Sequence, residues 1–127
     1  MPRLKPLLRS ARDVVYRIAY RGKGRWCPIC EKHTRRFRPF GIEYKREQAM
    51  CVHCGALERH RLVWLYLQRR THAFAGRKRM LDIAPEPCEG RMKRSVGRGY
   101  VSADLLDPAV DVRLDIMRLP YPDGAFD

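Results

Sequence analysis

The chain has 127 residues, 45% hydrophobic and 32% charged, with a formal net charge of +13. That length suits one domain or two small ones, and no stretch approaches the roughly 20 uncharged apolar residues of a membrane span. The charge is unevenly spread: residues 1–80 hold 21 Lys/Arg against 5 Asp/Glu, and residues 81–127 hold 6 against 9. So steep a step points to two regions with different tasks, the basic one suited to nucleic acid or another anionic partner. A solvated basic face without a specific partner is the bland alternative.

Residues 7–20 have the pattern of an amphipathic helix. Leu7, Leu8, Ala11, Val14, Val15, Ile18 and Ala19 recur at spacings of three and four, with Arg9, Arg12 and Arg17 mostly opposite. Gly22 and Gly24 end the segment, which gives a first region over 1–24. Its apolar stripe is expected to pack against the rest of the protein, and attachment to a membrane surface is the weaker alternative. Arg9, Arg12, Asp13 and Arg17 break up any apolar signal core. No secretory leader is therefore expected, and the expected location is the reducing cytoplasm, where paired cysteines favour metal over disulfide.

Residues 25–76 are expected to form a metal module. Cys27-Pro-Ile-Cys30 and Cys51-Val-His-Cys54 each place two thiolates on one side of a tight turn, with 20 residues between the pairs. Two such turns make a tetrahedral four-sulfur cage, the preferred site of structural zinc. Zinc also explains how a segment too small for an ordinary core folds. Thr34–Arg38 and Glu43–Met50 can pair as a hairpin across Pro39-Phe40-Gly41. Residues 56–70 form the strongest helix candidate, rich in Leu, Arg, Glu and Gln, with Arg69 and Arg70 at its end. This order of knuckle, hairpin and ligands at a helix start resembles a treble-clef zinc finger.

With four cysteines completing the shell, His53 reads as a knuckle residue and His33 as a ligand only in an incomplete cage. His60 reads as structural, and neither His72 nor the unpaired Cys88 carries a signal. Phe37, Phe40 and Tyr44 are interleaved with Arg35, Arg36, Arg38, Lys45 and Arg46, a mixture used on surfaces for single-stranded nucleic acid. The slightly preferred reading makes those rings the small core over the metal. Trp64 and Tyr66 likewise read as core.

From Arg79 the texture changes. Met80–Ala84, Tyr100–Ala103 and Val110–Leu114 read as strands and Glu89–Val96 as a short helix, the start of a parallel α/β sheet over 77–127. Asp82, Asp104 and Asp115 fall at or near strand ends, where open α/β sheets bind ligands. Asp104 follows Asp82 by 22 residues, close to the interval for a ribose-binding acid.

The runs MLDIAPEP, YVSADL and LDIMRLPYPDGAFD resemble the first three conserved elements of class I (Rossmann-like) S-adenosylmethionine-dependent methyltransferases. Residues 115–127 follow the family's Asp-Ile-x-x-Leu-Pro-aromatic-Pro-Asp-x-x-Phe-Asp pattern nearly residue for residue. A four-cysteine module followed by a Leu-Glu-Arg-His-Arg-Leu helix and this start also resembles a bacterial two-part arrangement. The resemblance implies S-adenosylmethionine as cofactor. Asp82, Ala84 and Glu86 would border its methionine part, Asp104 its ribose, and Asp115 and Ile116 its adenine, with Leu105 also among the cofactor-binding residues. Where the family has Gly-x-Gly-x-Gly, this chain has Ala84, Glu86 and Cys88, separated by Pro85 and Pro87. Phe126-Asp127 stands where a fourth strand would begin, so an incomplete domain is expected, with its catalytic residues elsewhere.

Two functions follow as expectations. One is methyl transfer, with the basic part recognising an anionic acceptor. The other is a basic zinc finger that grips nucleic acid without catalysis.

Overall fold

The structure, a computed structural model, describes residues 5–86 and 89–127. Pro87 and Cys88 lie outside the described residues, and with them the expectation of a free thiol at Cys88. The chain divides into two compact units between Arg61 and Leu62.

The first unit opens with α1 (Lys5–Ala19), close to the 7–20 expected from periodicity. Its packing differs from expectation. Val14, Val15 and Ile18 are 49%, 63% and 71% exposed, while the half-buried Tyr16 and Tyr20 turn inward. A periodic stripe shows that a helix is amphipathic, not which neighbour covers it. The helix end is held by backbone bonds: the Tyr20 carbonyl accepts from the Arg35 amide at 2.7 Å and from Thr34 Oγ1 at 2.8 Å. The buried Thr34 hydroxyl is thereby satisfied, as burial requires. The chain runs so close here that a Cβ on Gly24 would stand 2.3 Å from the Arg35 carbonyl oxygen.

Two short antiparallel pairs follow. Strands β1 (Arg25–Cys27) and β2 (Lys32–Thr34) flank the first Cys-x-x-Cys, with Trp26 opposite His33. Strands β3 (Arg38–Phe40) and β4 (Arg46–Met50) form the second pair, joined by residues 41–45. A hairpin was expected there, but its turn lies after Phe40 rather than across it. The register shifts between Arg38 and Phe40, and Gln48 adopts φ +57. Its side-chain Oε1 accepts the Phe37 amide at 3.1 Å. The rings divide: Phe37 is 7% exposed, Phe40 41% and Tyr44 85%. The expectation that all three form the core therefore holds for Phe37 alone.

Helix α2 (Glu58–Arg70) carries Glu58 in its first turn and Arg69 and Arg70 in its last, each sign suited to the local end of the helix dipole. His60 Nδ1 accepts the Leu57 amide at 3.0 Å, the reciprocal half of a capping box with histidine as the returning acceptor. His60 is thus structural, as expected. Within the second unit α2 buries Trp64, whose ring lies 4.9 Å from that of Phe74, whereas Tyr66 is exposed.

The rest of the second unit is a parallel sheet in the order β5-β6-β7. Strand β5 (Met80–Ile83) leads through α3 (Glu89–Val96) to β6 (Tyr100–Asp104), and a short loop leads to β7 (Val112–Arg113). Strands β5 and β6 pair in parallel from Met80↔Tyr100 to Ile83↔Ala103. The buried Met92 of α3, Tyr100 and Ala103 of β6, and Leu114 supply its apolar interior. Strand, crossover helix and neighbouring parallel strand is the arrangement expected from the 77–127 pattern. Gly99 lets the chain pass Lys78, where a Cβ would come within 1.9 Å of the carbonyl oxygen. Among the described residues no helix is long and apolar enough to cross a membrane.

Candidate functional site

The four cysteines converge. Both Cys-x-x-Cys turns have the same backbone form. The Glu31 amide donates to the Cys27 carbonyl at 2.8 Å and the Gly55 amide to the Cys51 carbonyl at 2.9 Å. Glu31 and Gly55, each just after its second cysteine, take left-handed φ values of 56° and 75°. Cys27 Sγ lies 3.7 Å from Cys54 Sγ, and Cys30 Sγ lies 3.8 Å from Cys51 Sγ. All four sulfurs fall within 4.8 Å of one another. A tetrahedron with metal–sulfur bonds of about 2.3 Å has edges of about 3.8 Å. The four sulfurs are therefore close enough together to hold a zinc ion.

Protons satisfy such a cluster poorly. Hydrogen bonds from Cys51 and then Cys54 pull the Cys27 thiol down to about 2. The Cys30 thiol is pushed up to about 12, first by burial and then by repulsion from Cys51. Cys54 is also raised, chiefly because its proton is held in the bond to Cys27. Thiols crowded so that Cys30 and Cys54 resist ionisation while Cys27 favours it are a donor set that a divalent cation relieves.

Second-layer contacts brace the cage. His53 Nε2 lies 3.1 Å from the His33 carbonyl, tying one knuckle to the other, while the His53 carbonyl accepts from Arg17 Nη2 at 3.3 Å. Neither histidine ring belongs to the four-sulfur cluster. Arg61 Nη1 donates to the carbonyls of Ala49 (3.0 Å) and Ala56 (2.7 Å), and its guanidinium lies 4.0 Å from the Phe37 ring centroid. In sequence Arg61 is one cation among many, and nothing marks it as the clamp between β4 and the start of α2.

The second set of expected residues lies toward the carboxyl ends of three neighbouring parallel strands. Asp82 stands opposite Ser102 near the end of β5, Asp104 ends β6, and Asp115 follows β7 by two residues. Each carboxylate has a hydrogen-bond partner. Asp82 Oδ2 accepts from the Tyr100 hydroxyl at 2.6 Å. Asp104 Oδ1 accepts the amides of Leu106 (2.7 Å) and Asp107 (2.9 Å), which hold its carboxyl below the usual range. Asp115 Oδ1 accepts the Met117 amide at 2.9 Å. Leu105 and Ile116 are 48% and 60% exposed, and Glu86 is also exposed. Ala84 takes φ +52, the left-handed conformation glycine favours, at the first of the family's three glycine places.

One constellation escaped sequence reasoning. Asp111 Oδ2 accepts from the Ser102 amide (3.0 Å) and hydroxyl (2.9 Å), and Oδ1 from Lys93 Nζ (3.2 Å). The two Ser102 bonds lead in lowering its carboxyl to about 2. Ser102 and Asp111 are nine residues apart on facing segments, a spacing without periodic signature.

No family model, curated protein or solved structure matches the chain. The functional reading therefore rests on the residues themselves.

Proposed function

We propose that residues 25–76 form a treble-clef-like module on one structural zinc ion held by Cys27, Cys30, Cys51 and Cys54. We further propose that residues 77–127 are the nucleoside-binding part of a Rossmann-like, S-adenosylmethionine-dependent methyltransferase domain. Three features support the second half of this reading. The parallel order β5-β6-β7 is that of one half of a doubly wound sheet, which binds ligands beyond the carboxyl ends of its strands. The Asp127 amide donates to the Arg79 carbonyl at 2.9 Å, so the chain returns beside β5, where such a sheet places its next strand. Ala84 holds the backbone of the turn after β5 in a glycine-like state.

The observation that carries the proposal is Asp104. Its turn uses Oδ1 alone, and among the described residues Oδ2 has no hydrogen-bond donor. An ionised oxygen at a strand end can accept both ribose hydroxyls of a nucleoside. The cofactor's sulfonium would supply an electrophilic methyl carbon, leaving the protein to position the reactants. The basic part of the chain would draw an anionic acceptor toward it.

Calorimetric titration of the zinc-loaded chain with S-adenosylhomocysteine tests this reading. Asp104→Asn keeps an oxygen for the Leu106 and Asp107 amides but loses the charge. It is expected to weaken binding by about tenfold or more, the worth of hydrogen bonds to a charged acceptor. Equal affinity of Asp104→Asn and the parent, or no binding by either, overturns the reading.

A further inference from the structure

The geometry points to a binding groove for single-stranded nucleic acid on the first unit, between α1 and the β3–β4 hairpin. This inference stands independently of the cofactor reading. A cavity of about 330 Å³ opens there, lined by Tyr16, Tyr20, Arg38, Phe40, Ile42 and Lys45, with no carboxylate in its wall. Its rings are set for stacking. The Arg38 guanidinium lies 4.1 Å from the Tyr16 ring centroid, and the Arg36 guanidinium 5.3 Å from that of Tyr20. Phe40 is 41% exposed on the strand, and Tyr44, 85% exposed, stands on the adjoining loop. Exposed aromatic faces beside stacked guanidinium planes are what unpaired bases use, because every base has a π-face. Residues 11–50 hold 11 Lys/Arg against 4 Asp/Glu, which supplies the attraction for a phosphate backbone. A duplex hides its base faces and leaves the rings of the groove without a partner.

An anionic membrane would also attract these cations, but the geometry favours nucleic acid. Among the described residues Ile42 is the one exposed aliphatic side chain in the groove wall; the aliphatic residues of α1 that a bilayer would take, Val14 and Ile18, each lie two positions from Tyr16. At about 100° per residue they face away from the rings of the groove. A membrane seated on that aliphatic face would leave the groove unused.

Fluorescence anisotropy of a labelled oligouridylate against the zinc-loaded full chain tests the proposal. The affinity is expected to fall linearly with salt on logarithmic axes, with a slope of about −0.7 per phosphate contact. Phe40→Ala is expected to weaken binding roughly tenfold without changing that slope, the signature of a lost stack rather than a lost charge. Phe40→Tyr should restore the affinity and Phe40→Leu should not, which separates stacking from packing. Lys45→Ala should reduce the slope by about one contact. Zinc content and far-ultraviolet dichroism show that each variant is folded. Three results each overturn the proposal: Phe40→Leu binding like the parent, loss of binding in Ile18→Ser, or phosphatidylserine vesicles engaging the groove as well as the oligonucleotide does.

Discussion

The two units bury themselves by different means. In the first, Phe37 is the largest side chain of the buried set, joined by Ile29, Leu57, Val52 and alanines around two buried cysteines. In the second, Trp64, Met92, Tyr100 and Leu114 bury full-sized side chains against a hydrogen-bonded parallel sheet. Polar fixed points do the work of a core in the first unit: four sulfurs, the Thr34 hydroxyl, the His60 ring and the Arg61 clamp. A chain segment with so little apolar mass needs a cross-link, and one of sulfur and metal holds many residues at a single point.

The largest test of that contrast removes the cross-link. Cys51→Ser or a strong zinc chelator should unfold the first unit, because structural zinc contributes about 10–16 kcal/mol in small modules of this kind. In amide NMR spectra, resonances of residues 25–57 should collapse toward random-coil positions while those of β5 and β6 keep their dispersion. Equal loss in both units would show that the metal holds the whole chain. The converse substitution, Trp64→Ala, should cost about 3–5 kcal/mol, as truncating a buried aromatic ring does. It should lower the thermal midpoint of the second unit and leave the proposed binding of one zinc per chain unchanged.

Arg61→Ala comes next. It strips a charged donor from two backbone carbonyls at once and uncovers Phe37, for a loss of about 2–3 kcal/mol. Arg61→Lys should recover only part of this, since an ammonium can donate to both carbonyls but lacks the planar guanidinium that lies over the Phe37 ring. Urea unfolding of the zinc-loaded chain measures both variants.

How much of this was legible in the sequence depended on whether a feature is local. The convergence of the cysteines, the start of β5 and the bounds of α3 follow from spacing, a short apolar run and local propensity, which act within a few residues; β5 itself stops at Ile83 rather than at the expected Ala84, which turns left-handed. The partners of Asp82 and Asp111 do not follow in this way. Tyr100 claims Asp82 from the neighbouring strand, and Asp111 reaches back to Ser102. Both pairings exist only once parallel register is set. The separation of Phe37 from Phe40 and Tyr44 was hidden because the irregular register of β3 and β4 breaks the simple alternation of faces. Nor could periodicity reveal that Tyr16 and Tyr20, rather than Val14 and Ile18, meet the rest of the first unit.

Acid should also weaken the second unit itself, by a smaller margin than metal loss weakens the first. The Asp111 carboxyl lies at about 2 in the folded chain, below the roughly 3.9 of an unfolded aspartate. A depressed folded value means its stabilisation is complete above about pH 4 and disappears as the pH falls toward 2. The group is exposed, so water screens the interaction and the effect is modest. Asp111→Asn should flatten that part of the acid limb when the second unit is followed through Trp64 fluorescence in a Trp26→Phe background. An unchanged pH profile would show that the Ser102 and Lys93 contacts do not persist in solution.

The smallest effect concerns the two cysteine turns, which share a backbone form but place different residues at its left-handed position. Both place a residue in the left-handed region directly after the second cysteine, and both close with an amide-to-carbonyl bond to the first. The second turn uses Gly55 there, and the first uses Glu31. A side chain in that conformation costs about 1–2 kcal/mol, which glycine avoids while adding some freedom to the unfolded chain. Glu31 also has a contact of its own to lose. Glu31→Gly should therefore leave a net gain of a few tenths of a kcal/mol, read as slower zinc release to a competing chelator. Faster release would mean that the glutamate's contact outweighs the strain of its backbone, and that the two turns, alike in form, are held by different forces.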